Sequence, residues 1–229
     1  MILRKILRIK YSKIGMLRFI GHLDLVRTLS RAFARSSLPV LYSQGFSPHM
    51  KLSFGPSLPL GFTSECELLD IEIDDAEFSG DINSYHKNIQ SLLPEGLNIL
   101  DIKCLDENPI SLARLINSAL YEIMIPEQFV PENGKLARFL QMEKIEVEKI
   151  SKKGSTFIDI RQSIKRMEKT GNITIDGNNL SVFELETGIG ATAHATPALV
   201  IKSLMGCDWF AIPGFRIHRK ALYSSTGLI

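Results

Sequence analysis

The chain is poor in cysteine. Cys66, Cys104 and Cys207 are its only three, and no two stand at a CxxC spacing. A structural zinc site needs four ligands in short pairs and an iron–sulfur cluster needs several thiolates. The three therefore read as small buried hydrophobes, and the chain is expected to hold no metal and no cluster of its own. No apolar run approaches the roughly 20 residues that a membrane span requires. The beginning, MILRKILRIKYSK, interleaves apolar and basic residues without a continuous apolar core or a small-residue cleavage site. It reads as a first strand and not a signal peptide, so a cytoplasmic protein without a membrane partner is expected. Enzyme signatures are missing too: there is no P-loop, no HExxH, no serine elbow, and the glycine-rich loop has no dinucleotide fingerprint.

Acidic residues are nearly missing from one region. Residues 1–60 hold ten Lys or Arg against the single acid Asp24, whereas residues 61–110 hold twelve acids against Lys87 and Lys103. A net charge of +2 over the whole chain hides this asymmetry. If the two segments pack together much of it cancels as internal pairing; if the cations share one face, that face binds anions.

The chain is organised around Tyr42–Glu65, YSQGFSPHMKLSFGPSLPLGFTSE, with Gly45, Gly55 and Gly61 among Pro48, Pro56 and Pro59. Glycine permits positive φ and proline fixes φ and removes a donor, so this cannot be one helix or one long strand. A shaped loop around a short strand near Met50–Phe54 fits, displaying Gln44, His49, Lys51, Ser57 and Ser64. A loop with this much backbone specification is more often a site than a spacer, the alternative being a pair of tight turns joining strands.

Around this stretch the elements alternate. Strands are expected at residues 3–11, 39–43, 66–73 and 97–104, with extended chain at Leu17–Ile20 and helices at 22–36 and 81–93. After a turn-rich break at 105–111 the order repeats: strand 119–125, helix 132–141, strands 145–150, 156–160 and 180–185, helix 196–205 and strand 215–223. Residues 160–169 fit strand or helix. Gly171-Asn172 and the DGNN at 176–179 read as hairpin turns. The expected class is α+β, two tandem ferredoxin-like (βαββαβ) sandwiches with antiparallel sheets, over residues 1–108 and 109–229.

Within the first helix Leu25, Val26, Leu29, Ala32 and Phe33 share a face, and Arg27, Arg31 and Arg35 recur every fourth residue on the opposite one. Guanidinium groups on consecutive turns suit an extended polyanion, and a solvated helix face explains them equally well. With Arg18 and Lys51 they make the candidate anion-binding set, and Gln44, Phe46, His49 and Phe54 the candidate recognition surface. His22 and His49, beside Tyr11, Tyr42 and Lys51, are weak general acid–base candidates; His86, His194 and His218 are weaker. The segment GIGATAHATP at 188–197 places two glycines before a helix start that could hold an anion or serve only as a connection.

The sequence at 11–33, YSKIGMLRFIGHLDLVRTLSRAF, and at 38–73, LPVLYSQGFSPHMKLSFGPSLPLGFTSECELLDIEI, resembles the radical-SAM-linked family of uncharacterised proteins. That family usually carries Asn and Pro where this chain has Ser47 and Met50. The resemblance implies association with a radical SAM enzyme. As this chain has no CxxxCxxC run, the partner would supply the iron–sulfur cluster and S-adenosylmethionine. The basic ferredoxin-like beginning also looks like the RAMP-type RNA-binding modules of CRISPR repeat-processing endoribonucleases. The expected function is an accessory protein that binds RNA or another anionic substrate for a radical SAM enzyme. A metal-independent endoribonuclease using His22 or His49 and a purely protein-binding adaptor are the alternatives.

Overall fold

The computed structural model describes residues 4–105, 109–151, 154–190 and 195–229. The chain divides into two compact units, Met1–Leu115 and Ile116–Ile229. The expected boundary at 108/109 falls beside residues 106–108, which lie outside the described ones.

In the first unit Leu7, Ile9 and Tyr11 alternate with polar residues along β1 (Arg4–Lys13), so one face of the strand is apolar. That face meets Leu69, Ile71 and Ile73 of β3 (Thr63–Asp74) and Leu97, Ile99 and Ile102 of β4 (Leu97–Leu105) in one core. Helix α1 (His22–Arg35) closes over it with Leu25, Leu29 and Phe33, and α2 (Ile82–Ser91) adds Ile89. Asp81 begins α2 as its cap, accepting from the Ser84 amide at 3.0 Å. Each fully buried aliphatic side chain here contributes about 1.5–3 kcal/mol. β1 pairs antiparallel with β3 and β4, and the short β2 (Leu52–Phe54) pairs antiparallel with β3, giving the order β4-β1-β3-β2. A single turn, α3 (Leu112–Leu115), follows.

The other face of this sheet resolves the charge asymmetry. Arg8 grips Asp70 through two bonds of 2.7 and 2.8 Å, and its NH2 donates at 3.1 Å to the Ile110 carbonyl. Arg4 and Lys51 meet Glu72 at 3.5 and 3.1 Å on that face, while Lys5, of the opposite strand parity, meets Asp75 at 2.6 Å on the helix side. Arg4, Lys5, Arg8 and Lys51 are therefore paired within the unit.

Two local expectations change. Of the expected extended stretch 17–20 only Ile20 is extended: Gly15, at φ 61, turns the chain into a 3₁₀ turn over Gly15–Phe19. Residues 39–43 make no regular strand. Only Val40 bridges to β3, opposite Ile73, before the chain leaves the sheet.

The second unit runs β5 (Ser118–Pro126), α4 (Lys135–Gln141), a hairpin of β6 (Glu146–Ser151) and β7 (Gly154–Asp159), β8 (Ile164–Ile175), β9 (Asn178–Gly188), α5 (Pro197–Met205), β10 (Arg216–Ser224) and β11 (Gly227–Leu228). Its main strands lie in the antiparallel order β10-β5-β9-β8. Ala119, Tyr121, Ile123 and Ile125 of β5 are buried with Phe183 and Leu185 of β9, and Val200, Ile201 and Leu204 are buried on α5. The undecided stretch 160–169 is a 3₁₀ turn at Arg161–Ser163 that opens into β8. Gly171-Asn172 is no turn: Gly171 sits inside β8 opposite Val182, at a register shift after Lys169. Glycine inside a strand marks a bulge as readily as a turn, and the tertiary pairing decides. The DGNN turn is real, with Asp176 and Gly177 at φ 51 and 77 between paired Ile175 and Asn178. The class is mixed α+β with antiparallel sheets and few helices. Among the described residues no helix is long and apolar enough to cross a membrane.

Candidate functional site

The edge of the first unit's sheet is interrupted. The Leu41 amide donates to the Glu72 carbonyl at 2.9 Å, and the Glu72 amide donates to the Lys51 carbonyl at 3.1 Å. Between these two anchorages, residues 42–50 leave the sheet. The excursion closes on itself: Tyr42 bridges to Met50, the Ser43 amide donates to the His49 carbonyl at 2.8 Å, and the His49 amide donates to Ser43 Oγ at 2.9 Å. Gly45, at φ 124, and Pro48 shape its tip. This is the glycine and proline punctuation of the sequence made into a small hairpin.

Beside it α1 carries Val26, Ser30 and Ala34 in one row, each a turn and a fraction beyond the last. Ser30 and Ala34 are short, so the helix cannot fill the space up to the excursion. A cleft of about 470 Å3 remains, lined also by Arg31, Tyr42, Pro48, His49, Met50, Leu52 and Phe54. Its floor is apolar, its rim carries a hydroxyl, a phenol and an imidazole, and its one charged group is the Arg31 guanidinium. No carboxylate lines it. Among the described residues Arg31 and Arg35 have no ion-pair partner, while Arg27 meets Asp24 at 3.1 Å on the exposed helix surface.

The other candidates fall around or away from this cleft. His22 sets its ring edge-on to Phe54, centroids 5.4 Å apart, which makes it a packing neighbour of the cleft and not one of its walls. Gln44 and Phe46 stand at the excursion's tip, Phe46 fully exposed. Lys51 does not join the site. In a strand that turns Leu52 and Phe54 toward the helices, Lys51 must point to the opposite face, where it meets Glu72. Arg18 lies apart as well, its guanidinium 4.7 Å from the centre of the Phe19 ring and its carbonyl accepting from the Gly61 amide at 2.7 Å.

His86 lies with Nε2 3.0 Å from the Ile99 carbonyl, a structural contact, and His218 is half-buried on β10. His194 lies outside the described residues. Of the segment 188–197, residues 191–194 lie outside the described residues, and Thr196 Oγ1 caps α5 by accepting from the Leu199 amide at 3.3 Å. Among the described residues no three of His, Cys, Asp and Glu gather as a metal site would need.

Sequence reasoning missed the helix wall of the cleft. The signal was available as the two small residues, Ser30 and Ala34, beside the arginine row. It also missed Lys13, which is buried and donates to the Ile20 carbonyl at 3.0 Å. Burial pulls its pKa below the ordinary lysine value, with Glu67 opposing.

A bacterial family described as "Uncharacterized protein conserved in bacteria (DUF2344)" matches residues 6–195, most of the chain, and the chain belongs to that family. No curated protein matches it. Among solved structures it is similar to the acetolactate synthase small subunit from Thermotoga maritima, at 12% identity over 100% of this chain and 96% of that one, with a TM-score of 0.27. It is also similar to DyPB from Rhodococcus jostii, at 10% identity over 98% and 90%, with a TM-score of 0.24. Likenesses this slight carry no argument about fold or activity.

Proposed function

We propose that this member of the family is a binding module built on two ferredoxin-like units, and that it holds RNA or another anionic substrate for a radical SAM enzyme. The ferredoxin-like reading rests on the matching strand orders of the two units. The partner reading rests on the sequence resemblance over residues 11–33 and 38–73, and the partner would bring the iron–sulfur cluster and S-adenosylmethionine. The observation that carries the binding reading is the convergence of Arg31, Tyr42, His49 and Phe54 on one cleft without a carboxylate. An apolar floor receives a flat group, and an arginine at the wall receives its charge.

The test is retention of short labelled RNA by the purified chain over a salt series. Phosphate contacts make affinity fall with salt, so a steep decline, and roughly tenfold weaker binding by Arg31→Ala, is expected. Salt-insensitive or absent binding overturns the reading. Cleavage of the RNA in the presence of chelator, lost in His49→Ala, would replace it with the nuclease alternative. Co-purification with a radical SAM enzyme that survives nuclease treatment and fails on Arg31→Glu would replace it with the adaptor.

A further inference from the structure

We infer, resting on the binding reading above, that the ligand is single-stranded RNA and that the cleft takes one unpaired base. The next base stacks on Phe46, and the connecting phosphates lie along Arg27, Arg31 and Arg35. Three observations carry this. First, the cleft lies between helix α1 on one flank and the 42–50 excursion on the other, and a base presents its ring to these walls only when turned out of a duplex. Its volume of about 470 Å3 is ample for one nucleoside. Second, the lining includes three aromatic rings, Tyr42, His49 and Phe54, with neither a carboxylate nor a second cation beside Arg31. Stacking of this kind tolerates any base, because every base has a π-face.

Third, Phe46 is fully exposed at the tip of a loop whose own hydrogen bonds hold its stem. A phenylalanine held out in water by an ordered hairpin contributes nothing to the core and leaves its ring open to a stacking partner. The arginines match that strand. Four helical residues rise about 6 Å, comparable to the separation of adjacent phosphates along one strand. The Arg27–Asp24 pair does not block this, because both side chains are more than 60% exposed, at 68% and 62%, and a pair so exposed exchanges readily.

The experiment uses the full chain and four probes in fluorescence anisotropy: a labelled single-stranded RNA of ten mixed bases, its blunt duplex, a version with one 2-aminopurine, and nucleoside 5′-monophosphates as competitors. The expected result is single-strand binding at least tenfold tighter than duplex binding, with a 2-aminopurine signal that changes on binding. Tyr42→Ala and Phe46→Ala, both at exposed positions, should each weaken the single strand by about tenfold, the scale of one lost stacking contact. Both should leave any duplex binding unchanged, and Ala34→Leu, which fills the cleft, should weaken the single strand and abolish the 2-aminopurine change. Equal, salt-sensitive binding of strand and duplex, indifferent to Tyr42→Ala and Phe46→Ala, overturns the inference and leaves the anion-binding reading standing. Binding of neither probe overturns both.

Discussion

The two units answer the same topological problem with different edges. In the first, the edge beside β3 is cut into Val40 and Leu52–Phe54, and the chain between them becomes the wall of a cleft. In the second, the corresponding edge is β8, twelve residues long, and the extra chain is placed elsewhere, as the β6–β7 hairpin ahead of it. The charges differ in the same way. Both sheets carry ion pairs, Arg8–Asp70 in the first and Lys220–Glu184 and Arg166–Glu184 in the second. Only the first adds a row of arginines on a helix beside a cleft. A shared strand order therefore says little about where binding lies. The interruption of one edge strand says more.

The largest effect expected from breaking this comparison is in the core on which the cleft's helix rests. Phe33→Ala removes a ring with no solvent exposure and should cost about 3–5 kcal/mol in urea unfolding. RNA affinity should fall with the loss of fold. Next comes the nearly buried pair: Asp70→Ala leaves Arg8 without its carboxylate, at a cost of about 3 kcal/mol. Its exposed counterpart in the second unit, Arg166→Ala, should shift stability by less than about 1 kcal/mol. Equal losses at the two pairs would show that burial does not separate them.

A pH comparison sharpens the contrast further. Burial holds the folded pKa of Lys13 below the ordinary 10.5, so its charged form opposes folding, and stability should rise as pH climbs from that lowered value toward 10.5. In the second unit the hydrogen bond to Glu184 raises Lys220 above 10.5, so its contribution is complete below 10.5 and is lost as pH rises through the raised value. Unfolding midpoints of Lys13→Met and Lys220→Met, measured across the alkaline range, should therefore depart from the parent in opposite directions. The smallest effect should come from Arg27→Ala. It removes an exposed pair with Asp24 and should leave stability within about 0.5 kcal/mol.

Much of this architecture is legible in the residues. The alternation of Leu7, Ile9 and Tyr11, and of Leu69, Ile71 and Ile73, marks β1 and β3. The spacing of Leu25, Leu29, Ala32 and Phe33 marks α1. These periods are local, and the core enforces them. What misled was equally local: Gly171 was read as a turn because glycine serves turns and bulges alike, and only pairing with Val182 separates the two. The site was half visible. Its loop announced itself through glycine and proline, and Arg31, His49 and Phe54 were nameable. That Lys51 turns away depends on strand parity relative to a partner strand, which no spacing within the loop reveals. The cleft itself is an absence of volume at Ser30 and Ala34: the two small residues are visible in the sequence, but that they face the excursion is not.

The broken edge beside β3 has a second consequence. A sheet that ends in a long run of unsatisfied amides and carbonyls recruits strands from other molecules, the first step toward fibres. Within the first unit the piece beside β3 is three residues long and flanked by a hairpin that departs from it, a poor template for an incoming strand. The second unit defends its longer edge by other means, with Lys165, Arg166 and Lys169 along β8 and two register shifts that spoil its regularity. The same break that opens the cleft thus leaves little continuous backbone for another strand to pair with.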